Sequence, residues 1–188
     1  MEELGLFIRI GLSTLFLSAG FSKWNKMFHH QLTVEQYRIL PKRLVPFFAR
    51  AEVWLEILVG IGLLFGLTYA AFGAGILLLM YSIAITVNLL RGRNHISCGC
   101  GGMAGDHMLS WWLVARNLFL LCGALYAASY GAAQFSLEVY FTSQTVEKTF
   151  SVYAIWKVIS CYAILLVLIF VNEMVQLRKQ IKNLLHTN

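Results

Sequence analysis

LGLFIRIGLSTLFLSAGFS, residues 4–22, is a run of nineteen residues with one ionisable side chain, Arg9. A helix of about 20 mostly apolar residues crosses the roughly 30 Å hydrocarbon core of a bilayer, so this run predicts a membrane span. Four more runs of the same kind follow, at residues 47–67, 71–90, 111–129 and 152–171. The 188-residue chain is 59% hydrophobic and only 13% charged, well outside the range of a soluble domain. Within lipid every backbone polar group must be satisfied internally, which leaves helices or a closed barrel. Runs of this length, rather than short alternating segments of about ten residues, select helices. The expected architecture is all-α: one integral membrane helical bundle spanning residues 1–188, with a four-helix core and a fifth transmembrane helix. A short interfacial helix is expected between residues 25 and 46, ended by Pro41. The acidic start, Glu2-Glu3, suggests that the first span stays in the membrane instead of being cleaved as a leader.

The net charge of +6 does not point to nucleic acid, because no folded basic domain accompanies it. With five spans, the first loop, the loop between spans three and four, and the C-terminal tail share one side. Lys23, Lys26, Arg38, Lys42, Arg43, Arg91, Arg93, Arg178, Lys179 and Lys182 all fall there. By the positive-inside rule that face is cytoplasmic, and the protein is a multi-pass cell-membrane protein in contact with the lipid bilayer.

On the same face lies Cys98-Gly99-Cys100-Gly101-Gly102. Disulfides need Cα atoms about 4.4–6.8 Å apart, and an i, i+2 pair in extended backbone sits near or beyond the upper limit. Gly99 supplies the flexibility that closes the gap. A ring this small is strained, and strained, exposed disulfides are the labile, catalytic kind, so Cys98 and Cys100 read as a redox couple. Two other readings compete with it. The cysteines could brace their loop, as part of a non-enzymatic membrane assembly factor. Alternatively His95, Cys98, Cys100 and His107 could form a soft ligand set in a metal carrier, although zinc knuckles normally space their cysteines two to four residues apart. Under the redox reading His95 and His107 are the candidates to favour the thiolate. Cys122 and Cys161 fall inside apolar runs, where buried thiols are usually inert packing, the alternative being a second, membrane-embedded dithiol.

Polar residues converge beneath this loop. Glu52 and Glu56 stand one helical turn apart on one face of the second span, and Arg116 and Asn117 open the fourth near Asn88. Ionisable residues inside a bilayer are expensive unless they pair or line a site, so a polar pocket is expected, with Glu56 and Arg116 either tethering two helices or forming an acid–base or substrate-positioning site. Lys23 with Trp24 reads as an interface anchor, and Trp111 as a belt residue or a platform on which a quinone ring stacks.

Taken together, Gly20 to Lys23, Leu40-Pro41, Glu56-Ile57-Leu58-Val59-Gly60, Arg91-Gly92, the Cys98–Gly102 motif and Arg116-Asn117 resemble the MauE/DoxX group of membrane proteins, in its MauE branch. The resemblance runs from about residue 5 to residue 130. Many relatives carry an aromatic residue before the last glycine of the cysteine motif, where this chain has Gly101. The resemblance implies a helical bundle associated with disulfide chemistry. It also implies a role in maturing methylamine dehydrogenase beside a thioredoxin-like partner outside the cytoplasm, which conflicts with the side that charge assigns to the loop. The expectation is a membrane thiol–disulfide oxidoreductase exchanging with a thioredoxin-fold protein or a cysteine-containing substrate. By analogy with other helical-bundle disulfide enzymes, electrons would pass to or from a quinone held by Glu56, Arg116, Asn117, Lys23 and Trp111.

Overall fold

The computed structural model describes residues 2–99 and 108–130, with isolated positions between 156 and 167. Five helices follow one another in them: α1 (Glu2–Asn25), α2 (Met27–Tyr37), α3 (Val45–Leu64), α4 (Thr68–Leu90) and α5 (Trp111–Tyr130). The all-α bundle forms as expected. Helices α1, α3, α4 and α5 make the four-helix core, α1 packing chiefly on α3 and α4 on α5, while short α2 crosses one end. The fifth expected span, residues 152–171, and the tail behind it lie largely outside the described residues.

Helices α1, α4 and α5 are long and apolar enough to cross a membrane. Helix α3 matches them in length but carries Arg50, Glu52 and Glu56. It turns both carboxylates inward and presents Trp54, Leu55 and Leu58 outward, the distribution a lipid-facing helix requires. Arg9, the one ionisable residue of the opening run, is buried in the bundle as well.

Two helix ends close in the same way. At the end of α3, Gly66 takes φ +74°, its N–H donates to Leu63 O, and the Leu67 N–H donates to Gly62 O. At the end of α4, Gly92 takes φ +71°, with Gly92 N–H bonded to Leu89 O and Arg93 N–H to Asn88 O. Both are Schellman caps, in which a left-handed glycine satisfies carbonyls that the helix leaves over. The first cap reverses the chain within residues 65–67, so α4 begins three residues earlier than the apolar run suggests. Helix α2 also stops before Pro41: Arg38 adopts φ 48° and its N–H donates to Glu35 O, which ends the helix locally without the proline.

The α1–α3 contact is close because glycines face it. A Cβ on Gly60 would stand 2.8 Å from Leu17 Cγ, and one on Gly20 2.8 Å from Ile57 Cγ1. Ser13 Oγ donates to Gly60 O at 2.8 Å across the same seam. Small residues at such seams let van der Waals contact and interhelical hydrogen bonds replace the hydrophobic drive that lipid removes. Leu12, Phe16, Leu63, Leu77 and Leu78 fill the part of the bundle away from the cysteine loop.

Candidate functional site beneath the cysteine loop

Gly20 decides where Lys23 goes. Three residues apart on one helix, the two share a face, and the missing side chain of Gly20 lets α3 approach until Lys23 meets the carboxylates one turn on. Lys23 Nζ donates to Glu52 Oε1 at 2.9 Å and to Glu56 Oε1 at 2.8 Å, with all three side chains buried. The Tyr81 hydroxyl, from α4, donates to the same Glu56 oxygen at 2.7 Å, and Lys23 Nζ lies 4.9 Å from the centre of the Tyr81 ring. From α2, His30 Nε2 approaches Glu52 Oε2 at 3.3 Å, in ion-pair range but off-line for a strong hydrogen bond. Four helices thus meet in one buried polar cluster.

The cysteine loop sits directly above it. The Tyr37 hydroxyl donates to Cys98 O at 3.0 Å, Ser97 and Met108 form an isolated antiparallel bridge, and the Leu109 N–H donates to Ile96 O. Gly99 has φ +64°, and a Cβ there would stand 2.9 Å from Thr33 Cγ2 and 4.0 Å from His30 Nδ1. Only glycine fits a left-handed position pressed this closely on a helix. The loop therefore rests on α2 at the point where His30 points up from the cluster.

Below and beside the cluster is a cavity of about 790 Å³. Its wall is mostly apolar, including Leu12, Phe16 and Leu78, with Lys23, Glu52, Glu56, Tyr81, Arg116, Asn117 and Cys98 at the polar end. Ile76, Leu79 and Ile83 line it and are also exposed, so the cavity is continuous with the lipid-facing surface of α4. Among the described residues, Glu56 Oε2, Asn117 Nδ2 and both ring nitrogens of His30 are buried without a hydrogen-bond partner, so acceptors and donors stand open at this end. Such a room, apolar with a few convergent polar atoms, is the usual form of a small-molecule site.

The structure brings together Lys23, Glu56, Arg116, Asn117 and Cys98 of the residues expected from sequence. Lys23 is not an interface anchor: it is 5% exposed and is the cation that holds Glu56. Trp111 is 59% exposed on the outer surface and does not line the cavity. Trp24, the remaining belt residue of α1, meets Trp54 edge-on at 4.9 Å. Cys122 is exposed on the outside of α5, where a buried thiol was expected. Cys100, His107 and Cys161 lie outside the described residues, and among the described ones no cluster of His, Cys, Asp or Glu is arranged to hold a metal ion. His30 and Tyr81 were not foreseen. Their signal was weak: a histidine in an amphipathic segment, and a tyrosine seven residues before Asn88 on one face of an otherwise apolar helix.

Fold and site together define a helical membrane protein with a buried ion cluster and an apolar cavity under a cysteine-bearing loop. The profile of the family described as Methylamine utilisation protein MauE matches residues 1–130. The chain belongs to that family. It is 36% identical over 124 residues to Methylamine utilization protein MauE of Paracoccus denitrificans, covering 65% of this chain and 67% of that one. The corresponding protein of Methylorubrum extorquens is 34% identical over 120 residues, 63% of this chain and 64% of that one. That of Methylophilus methylotrophus is 35% identical over 97 residues, 50% and 51% of the two chains. The matched stretch thus spans about two thirds or less of the length of these relatives. No solved structure matches the chain.

Proposed function

We propose that this chain is a membrane thiol–disulfide oxidoreductase serving a maturation step in methylamine utilisation, with Cys98 and Cys100 cycling between dithiol and disulfide. The observation that carries the reading is the seating of the Cys98-Gly99 turn over a buried acid–base cluster at the polar end of a lipid-connected cavity. A thiolate of the pair attacks the disulfide of a thioredoxin-fold protein or a cysteine-containing substrate, one sulfur–sulfur bond forming as the other breaks. The second cysteine then resolves the mixed disulfide. In the opposite direction the pair is left as a dithiol that must be reoxidised.

The cavity fits a quinone as the oxidant. Its volume and apolar wall suit a ring with an isoprenoid tail, the opening beside Ile76 and Ile83 gives access from lipid, and Asn117 Nδ2 and Glu56 Oε2 offer a donor to a carbonyl and an acceptor to a hydroxyl. A bound quinone would supply a two-electron, two-proton acceptor, matching what a dithiol releases. Lys23 and Tyr81 keep Glu56 in place for that contact, and the apolar wall excludes bulk water. The crowding of Lys26, Arg38, Lys42, Arg43 and Arg91 at this end favours a cytoplasmic loop.

A second reading has support of its own. The Tyr37 bond and the packing of Cys98 with Ile85, Leu109 and Leu113 brace the loop, as an assembly factor without turnover would need. Single Cys98→Ser and Cys100→Ser variants separate the two. Oxidoreductase chemistry predicts that one of them traps a mixed disulfide with the partner. Full activity in the double serine variant would overturn it.

A further inference from the structure

We infer that the junction of α1 and α2 carries a phosphate-binding site, with Lys26 and His29 holding the anion from the rim and His30 from the floor. A recess of about 50 Å³, separate from the large cavity, lies there between Ser22 of α1 and the first turns of α2. It is about three to five times the ~10–15 Å³ that one water needs, room for a tetrahedral oxyanion. Its lining favours an anion. Among the described residues no carboxylate lines it, since Glu52, 3.3 Å from His30 Nε2, faces the cavity and not the recess. Of its two lysines, Lys23 is taken by Glu52 and Glu56, whereas Lys26 makes no ion pair among the described residues.

Two further observations point to a ligand. Helix α2 starts without a side-chain cap, and Lys26 is its N-cap residue. The His30 N–H donates to Lys26 O, which leaves the amides of the first turn to an outside acceptor, and the helix dipole makes that acceptor an anion. His30 itself is 6% exposed, and among the described residues neither ring nitrogen has a hydrogen-bond partner. Its Nδ1 is turned toward Gly99, where a Cβ would stand 4.0 Å away, and Gly99 lines the recess. Buried polar atoms are rarely left unsatisfied, and an unbound ligand is one reason. The surroundings match the level of phospholipid headgroups. Trp24 meets Trp54 edge-on beside the junction, and Phe28 leaves the first turn of α2 70% exposed, as aromatic rings do where headgroups meet acyl chains. Basic residues at such a level attract anionic lipid, whose phosphate and a free phosphate ion offer the recess the same chemistry. The site uses neither cysteine and no quinone, so it stands or falls apart from the disulfide reading.

The full chain, delipidated in a neutral detergent, is melted by intrinsic fluorescence with dioctanoyl-phosphatidylglycerol, with dioctanoylglycerol, which has the same chains and no phosphate, and with inorganic phosphate against chloride at equal ionic strength. Phosphatidylglycerol at about ten times its Kd is expected to raise the melting temperature by about 3–6 °C, and dioctanoylglycerol to leave it unchanged. Lys26 and His29 are exposed, so Lys26→Gln/His29→Gln should fold, and it should weaken binding by about tenfold or more. His30→Phe, which keeps a ring without its nitrogens, should weaken it as well, each shift being read against the variant's own melt. Lys42→Gln, on the same face but outside the recess, should bind like the parent. A rise with phosphatidylglycerol alone assigns the site to a headgroup, and a rise with inorganic phosphate that the recess variants weaken assigns it to the free ion too. No rise with either phosphate source, an equal rise with dioctanoylglycerol, a rise that Lys26→Gln/His29→Gln leaves intact, or one that Lys42→Gln weakens as much overturns the site.

Discussion

Replacing Lys23 with methionine should unfold this protein more readily than any other single change at the site. The ammonium stands 2.9 and 2.8 Å from oxygens of two carboxylates, with Lys23 and Glu52 each 5% exposed and Glu56 2%. At an effective dielectric of about 20, each contact is worth roughly 6 kcal/mol before desolvation. Desolvation of three ions consumes much of this, so the intact cluster contributes little net stability. Removing the cation alone is different, because it strands two buried carboxylates one turn apart. The penalty for breaking a buried pair this way is about 3–5 kcal/mol, which for a chain of this size lowers the melting temperature by roughly 6–20 °C. The assay is intrinsic fluorescence melting of Lys23→Met in detergent, beside the triple variant Lys23→Met/Glu52→Gln/Glu56→Gln. The triple variant should recover most of the loss, since the penalty comes from uncompensated charge. A single variant melting within about 3 °C of the parent, or a triple variant no better than the single, refutes the reasoning.

Three further substitutions probe the loop and the helix seam. Gly99→Ala should cost about 1–2 kcal/mol for the left-handed backbone, and more from the Thr33 contact at 2.9 Å; limited proteolysis should show a lifted loop. Gly60→Val forces a side chain against Leu17, where overpacking costs about 1–3 kcal/mol, read as a lower melting temperature. Tyr37→Phe removes the bond to Cys98 O, worth about 0.5–1.5 kcal/mol, and should speed hydrogen exchange in the segment from Ser97 to Gly99 while lowering the global melt by about 1–6 °C.

The bundle was legible because lipid imposes length and composition on every span, and the four core helices fall where the apolar runs lie. Their ends were less so: the cap at Gly66 places the turn by hydrogen bonding to Gly62 and Leu63, which hydrophobicity does not register. Glu52 and Glu56 were readable as a shared face, since spacing along a helix is a local property. Their partner was not. Lys23 beside Trp24 has the composition of an interface anchor, and only the approach that Gly20 permits turns it into the counter-ion of two carboxylates. Arg116, nearer to the expected depth, lines the same cavity, but Lys23 and Tyr81 hold Glu56. His30 and Tyr81 come from segments far apart in sequence, so their convergence belongs to packing alone.

The charge count of the cluster has a consequence of its own. Glu52 and Glu56 set two carboxylates against the single ammonium of Lys23, with the His30 imidazole 3.3 Å from Glu52, and Glu56 Oε2 is a buried acceptor without a hydrogen-bond partner. An uncompensated buried charge is costly, and a fold selected only for stability would have neutralised it. Glu56→Gln does so with little change of shape: the amide oxygen can still accept from Lys23 and Tyr81, and its NH2 group replaces the unmet acceptor with a donor directed at the cavity. The variant should therefore melt at or above the parent temperature while turnover falls, the trade expected where a strained group is retained for its chemistry. A melt depressed by more than about 1 kcal/mol, at roughly 2–4 °C per kcal/mol, would show that Glu56 is held for the fold and would remove the reason for calling its open oxygen functional.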